Sequence, residues 1–162
     1  MDFSPSIYEH AAKVIHKSPW EVSRSEELMY RSHARAYQLY GHSPIVVGID
    51  IYNLEVEAYG AQIGPPAGND IPSIKEPIGD KVEDIIHLNH FNPEQKGRIP
   101  LIVKAGLRLK QELPEVDIRI PVSGAFSIAS NLIGMENLLI EAMMNPDLTL
   151  SLIHISEPTR PY

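Results

Sequence analysis

Two short runs rich in β-branched residues, Ile45-Val46-Val47-Gly48-Ile49-Asp50 and Asp117-Ile118-Arg119-Ile120-Pro121-Val122, stand between long stretches of helical periodicity. The first is apolar on both faces, as expected of a strand in a parallel sheet covered on both sides. Parallel neighbours cannot be joined by a tight turn and need a crossover, usually helical. Strands alternating with helices therefore predict an α/β protein with parallel pairing.

The helical stretches carry their own punctuation. Pro5 to Lys17 reads as a first helix, with Ile7, Ala11, Val14 and Ile15 on one face and Ser4 or Ser6 as cap. Ser23 or Ser25 ahead of Glu26 and Glu27 opens a second, in which Leu28, Met29, Ala36, Tyr37 and Tyr40 recur at helical spacing before Gly41. Leu54 to Tyr59 is a short helix closed by Gly60, followed by a strand-like Ala61-Gln62-Ile63. Pro65, Pro66, Pro72 and Pro77 make Gly64 to Gly79 a loop. Val82 to His87 fits a helical turn and a strand equally. A further helix runs from Pro93, or from after Pro100, to Leu113, burying Ile102, Ala105, Leu109 and Leu113. The last spans Phe126 to Met144 and stops at Asn145-Pro146, with Met135, Leu138, Leu139, Ala142 and Met143 as its core face.

Bulk properties narrow the partners. The net charge of −7 comes without a basic tract, which disfavours nucleic acid and anionic membranes. No apolar run approaches the ~18–20 residues of a membrane span. Met1 to Pro5 lacks the basic and apolar regions of a signal peptide. With no cysteine, disulfides and thiolate metal ligands are excluded within these residues. A cytoplasmic protein is expected.

The chain end is read separately. Leu150-Ser-Leu-Ile-His-Ile-Ser-Glu-Pro-Thr-Arg160 is the in-frame translation of a transposase adapter used in preparing sequencing libraries. Residues 150–162 are accordingly expected to be a non-native tail, and His154 and Glu157 are not read as ligands or acid/base groups. Residues 1–149 are expected to be the natural part, cut short of its own continuation.

Three stretches, in order, resemble the uroporphyrinogen decarboxylase superfamily, which includes corrinoid-linked methyltransferases. They are Val46 to Gly60, with Asp50 ending a strand and an acidic-small-aromatic-Gly run after it; Arg98-Ile99-Pro100-Leu101 and its helix; and Ile120-Pro121-Val122-Ser123-Gly124-Ala125-Phe126-Ser127-Ile128-Ala129-Ser130. The resemblance implies a (β/α)8 barrel with N-terminal helices, of which only the first strands are present, since such barrels take ~250 residues.

A carboxylate at the C-terminal end of a barrel strand points to the mouth where barrel active sites lie, which makes Asp50 the catalytic candidate. In the decarboxylases the matching aspartate holds pyrrole N–H groups, a task for an acceptor whose charge opposes developing positive charge. The bland alternative is an aspartate capping the next helix. Tyr52, Asn53, Ser123, Gly124 and Phe126 are the substrate-binding candidates; Gly124 is expected to allow close backbone approach or an unusual φ. Ser123 and Ser127 have no evident base and read as turn and cap residues. Arg31 and Arg35 share a helix face, as solvated residues with Glu27 as salt-bridge partner. His87 and His90 would share a face if helical, but without a third ligand they read as linker residues.

The resemblance has two members to choose between. The decarboxylase signature Arg-Gln-Ala-Gly-Arg is absent near the N-terminus, and Asn131 stands where decarboxylases carry an active-site tyrosine. The methyltransferase branch fits better: Glu55, Glu57, Ala58 and Gly60 resemble its post-strand segment. The expected parent is thus a methyltransferase moving a methyl group between a corrinoid carrier protein and a thiol or another small-molecule acceptor. Tetrapyrrole decarboxylation and a non-catalytic binding barrel are the alternatives. The branch uses zinc held by a His-x-Cys pair and a later cysteine in the second half of the barrel, so no metal or cofactor is expected on these residues, nor activity from them alone. The sequence leaves the oligomeric state open.

Overall fold

The computed structural model describes residues 5–66, 70–88 and 91–156. Along the chain lie α1 (Tyr8–Val14), α2 (Pro19–Ser23), α3 (Glu26–Tyr40), β1 (Ile45–Val46), a 3-10 turn (Ile51–Asn53), α4 (Leu54–Tyr59), β2 (Ile63–Gly64), β3 (Ser73–Ile74), α5 (Val82–Ile85), α6 (Ile99–Glu112), β4 (Ile118–Arg119), α7 (Ala125–Ile133), α8 (Met135–Met144) and α9 (Pro146–Ser156). The fold is α/β and mostly helical. The chain divides into two compact units, one of Met1–Ile51, Pro65–Ser73 and Arg98–Pro121, the other of Tyr52–Gly64, Ile74–Gly97 and Val122–Tyr162.

In the first unit β1 and β4 pair in parallel, Ile45 opposite Ile118 and Val46 opposite Arg119. This is the arrangement expected of a strand–crossover–strand unit. Ile45, Val47 and Ile49, alternate residues of the run, are fully buried, whereas Val46 between them is only partly so; the run fills one face completely rather than both as expected. The ladder is shorter than the run: after Val47, whose N–H donates to the Arg119 carbonyl at 2.8 Å, the backbone turns away. The β4 ladder is likewise confined to two residues within the longer expected run. α6 buries Ile102, Ala105, Gly106 and Leu109, three of its four expected core positions; Leu113 is its C-cap.

The helix ends follow local chemistry. Ser25 accepts the Leu28 N–H at the start of α3, and Gly41 closes it at φ 58°. The first helix is shorter than expected, because His16 turns to φ 57° and ends it. A helix that was not expected, α2, follows from Ser18-Pro19-Trp20-Glu21: Ser18 Oγ accepts the Glu21 N–H and the Glu21 carboxylate accepts the Ser18 N–H. Glu27 pairs with Arg108 rather than Arg31.

In the second unit the expected Phe126–Met144 helix is two helices, broken at Gly134 with φ 87°. The Val82–His87 stretch forms the helical turn α5. Lys75 donates its N–H to the Gln62 carbonyl beside β2, so part of the proline-rich loop is strand. The core gathers Val56, Val82, Ile85, Ile128, Leu132, Ile133, Leu138 and Leu152. Of the expected α8 core positions only Leu138 is buried; Met135, Leu139, Ala142 and Met143 face solvent. Residues 150–156, read from the sequence as part of a non-native tail, continue α9 and place Leu152 in the core, because Leu148, Leu152 and Ile153 recur at helical spacing whatever their origin.

Candidate functional site

Asp50 lies just beyond β1, where the chain stops pairing with β4. Gly48 N–H, released from the ladder, donates to His33 Nε2 at 3.1 Å on α3. Two residues later Asp50 adopts φ 56°, a left-handed conformation that aspartate tolerates better than most residues. Its N–H donates to Glu9 Oε1 at 3.3 Å on α1. Its carboxylate Oδ2 accepts from the Arg98 guanidinium at 2.6 Å, with 0% of the Asp50 side chain and 4% of the Arg98 side chain exposed. The same guanidinium donates to the Ile49 and Asp50 carbonyls at 3.4 and 3.5 Å. The expected strand-end carboxylate is therefore a fixed, charge-paired group. Arg98 is the N-cap residue of α6 and was not expected as its partner.

Two histidines of the first unit, His33 and His42, are shut off from water. His33 has no hydrogen-bond partner at Nδ1, and His42 has none at either ring nitrogen. Burial pushes His33 down to about 4, and the neighbouring His42 further opposes a positive charge there. Burial also lowers His42.

The remaining expected residues fall in the second unit. Tyr52 is 59% exposed, and its carbonyl accepts from Asn131 Nδ2 at 3.1 Å. Asn53 is buried at the end of the 3-10 turn. The Ser123 N–H donates to Glu55 Oε1 at 2.9 Å, tying the segment before α7 to the first turn of α4. Glu55 is buried, and its second oxygen has no hydrogen-bond partner. Gly124, the α7 N-cap, has an ordinary φ of −73°, and a Cβ there would meet nothing within 4 Å. Neither the close approach nor the unusual φ expected of it is present. Phe126 is half exposed. Glu55 and Asn131 thus join the expected residues as the groups that tie them down. Glu55 stands in the Val46–Gly60 stretch, and Asn131 directly follows Ser130, the end of the third stretch; their partners were not readable from either place.

Asp50 is thus in one unit, and Tyr52, Asn53, Ser123, Gly124 and Phe126 are in the other. A polar cleft in the second unit, bordered by Gln62, Lys75 and Glu76, includes none of them. Arg31 and Arg35 are exposed, Arg35 bonded to Gln38. His87 is exposed, and His90 lies outside the described residues. Among the described residues no three His, Asp or Glu side chains gather as a metal site, and the sequence has no cysteine. A zinc centre of the His-x-Cys…Cys kind does not fit these residues. Among the described residues no helix is long and apolar enough to cross a membrane.

No curated protein matches the sequence. A methyltransferase from Methanosarcina mazei shares the fold, with a TM-score of 0.78 at 22% identity, over 96% of this chain and 45% of that one. The chain thus spans under half the length of that methyltransferase. The family model "Uroporphyrinogen decarboxylase (URO-D)" matches residues 5–158, nearly the whole sequence, and the chain belongs to that family.

Proposed function

We propose that this chain is the front portion of a (β/α)8-barrel methyltransferase that moves a methyl group between a corrinoid carrier and a thiol acceptor. The observation that carries the choice within the family is Asn131. It stands at the position of the decarboxylase tyrosine, and its amide is committed to the Tyr52 carbonyl at 3.1 Å. An amide engaged in holding backbone does not replace a phenol directed at a substrate. Two further points support the reading. Of Arg24, Arg31 and Arg35, the arginines of the N-terminal region in which the carboxylate-gripping signature is absent, Arg31 and Arg35 are exposed. The structural neighbour is itself a methyltransferase.

In this reading Asp50 is the strand-end charge, held in place by Arg98. Tyr52, Asn53, Ser123, Gly124 and Phe126 contact the methyl acceptor or the carrier. Zinc, supplied by residues outside this chain, would lower the pKa of the thiol when bound. Residues 150–162 remain, in this proposal, adapter-derived.

The test is to express the protein with the natural reading frame that continues past Thr149. Methyl transfer from methylcobalamin to a thiol and decarboxylation of uroporphyrinogen are then assayed side by side. Thiol methylation without decarboxylation is the expected result. Decarboxylation without methylation assigns the protein to the other branch, and corrinoid binding without turnover makes it a binding barrel. Residues 1–149 alone should turn over neither substrate.

A further inference from the structure

We infer that Glu55 is a positioning residue: through the Ser123 N–H, its buried carboxylate sets the segment entering α7 for contact with the methyl acceptor. The inference rests on the function proposed above for Ser123, Gly124 and Phe126. Glu55 acts through the backbone it holds and does not itself touch the acceptor. A run of five residues, Val122 to Phe126, is the scale of a small molecule, whereas a carrier protein engages about 20–30 residues a side.

Glu55 stands in the first turn of α4 and is 7% exposed. A carboxylate is costly to take out of water unless its charge is answered. Packing α4 against α7 does not require one: the adjacent Val56 and α7's Ile128, Ala129 and Leu132 belong to a single apolar cluster. Neither helix contains a lysine or arginine to pair with it. The charge is instead directed at backbone. Oε1 accepts the Ser123 N–H at 2.9 Å, and Oε2 is buried with no hydrogen-bond partner among the described residues. A hydrogen bond to an ionised acceptor is roughly twice as strong as a neutral one, so Ser123 is held by more than an ordinary contact.

Packing offers the held segment little else. Val122 is 75% exposed, Gly124 is exposed, and Phe126 is 47% exposed. Gly124, the N-cap of α7, has no side chain with which to close the first turn. The Asn131 bond to the Tyr52 carbonyl fixes α7 itself, which its own helical hydrogen bonds already keep rigid. Ser123 lies ahead of the helix, where no such bond orders the chain, so Glu55 is what orients the entry. Ser123 is only half-buried, and its N–H, once released, reaches water. Losing the bond should therefore free the segment without unfolding the two helices.

Two measurements test this on Glu55→Leu, Glu55→Gln and Glu55→Asp. Amide hydrogen exchange at Ser123 is followed by NMR on the 162-residue chain. Thiol methylation from methylcobalamin is followed on the protein expressed with its natural reading frame. Glu55→Leu should speed Ser123 exchange by about tenfold or more, the scale of a hydrogen bond to a charged group. It should raise the thiol KM by a similar factor and leave kcat within about twofold, the pattern of lost ground-state binding. Glu55→Gln keeps an acceptor without the charge and should restore part of both. Glu55→Asp keeps the charge but withdraws it by one methylene, and should behave like Glu55→Leu. Circular dichroism checks folding; if Glu55→Leu does not fold, Glu55→Gln carries the test, with an intermediate rise in exchange and KM expected and no rise overturning the inference. Unchanged Ser123 exchange overturns it. So does faster exchange with an unchanged thiol KM, which makes Glu55 merely structural, or a fall in kcat, which places it in the chemistry. A rise in the methylcobalamin KM alone gives the segment to the corrinoid and overturns it too, as does Glu55→Asp behaving like the parent. A parent protein that methylates no thiol sinks the proposed function and this inference with it, while Ser123 exchange still reports whether Glu55 holds the segment.

Discussion

The Arg98 guanidinium sits 2.6 Å from Asp50 Oδ2, and both side chains are out of water. A residue at the entry to α6 thereby fixes the charge at the end of β1. The arrangement also supports the left-handed backbone of Asp50, since the same guanidinium reaches the Ile49 and Asp50 carbonyls.

Breaking a buried pair from one side leaves an uncompensated charge and costs about 3–5 kcal/mol. Arg98→Met should lower the urea-unfolding free energy by that much. Combining it with Asp50→Asn should lose less than the two single changes added together, because neither charge is then stranded. Strict additivity in that double-mutant cycle would show that the two groups do not act on one another.

Acid should weaken the first unit through His33. Its folded value of about 4 lies below the ordinary 6.5, because burial disfavours the imidazolium. Between those values the unfolded chain binds more protons, so stability rises with pH across the window. The contribution is fully present above 6.5 and is lost as pH falls toward 4, about 3 kcal/mol in all. His42 shifts in the same direction and adds to the slope. Protonated His33 can no longer accept the Gly48 N–H, so the chain beyond β1 should loosen first. His33→Gln keeps an acceptor without the titration and should flatten the stability profile between pH 4 and 6.5. An unchanged slope in that variant would place the acid sensitivity elsewhere.

The sequence made local signals readable and distant pairings invisible. Ser25 and Gly41 bound α3 as expected because a cap and a left-handed glycine act within one turn. The Ser18-Glu21 capping box that starts α2 is equally local, both of its hydrogen bonds closing within one turn. The break at Gly134 was hidden by apolar residues continuing on both sides of it; only the backbone angle reveals the stop. The periodicity of α8 identified an apolar face but not the side it would present, and solvent now meets it. Asp50 was marked by its place at a strand end. Arg98, 48 positions away, had no spacing that could announce their pairing. Glu55 and Ser123 are likewise 68 positions apart.

Two glycines should differ in their response to alanine. Gly97 has φ 60°, and a Cβ would stand 3.2 Å from the Ala58 backbone, which cannot rotate aside. Left-handed backbone costs a non-glycine residue about 1–2 kcal/mol before any contact is counted, so Gly97→Ala should be destabilising by at least that. Gly124 has ordinary backbone and open space, and Gly124→Ala should fall within about 0.5 kcal/mol of the parent. Thermal unfolding of the two variants checks both. A large loss at Gly124 would mean that its surroundings are closed rather than open.

The last helix bears on residues 150–162. Leu152 is 1% exposed and packs with Leu132, Ile133 and Leu138, so α9 covers part of the second unit's core. Truncating a buried leucine to alanine costs about 2–5 kcal/mol, depending on how far the site collapses, and Leu152→Ala should fall in that range. Ending the chain at Thr149 removes Leu152 together with Ile153, which packs on the same cluster, and should destabilise by more. Urea unfolding of the 162-residue chain, of Leu152→Ala and of residues 1–149 measures both steps. The adapter origin proposed for residues 150–162 does not conflict with this, because an amphipathic turn buries a leucine on its side-chain chemistry alone. If residues 1–149 proved as stable as the whole, Leu152 would contribute nothing to that core, and the helix past Thr149 would be an idle extension of it.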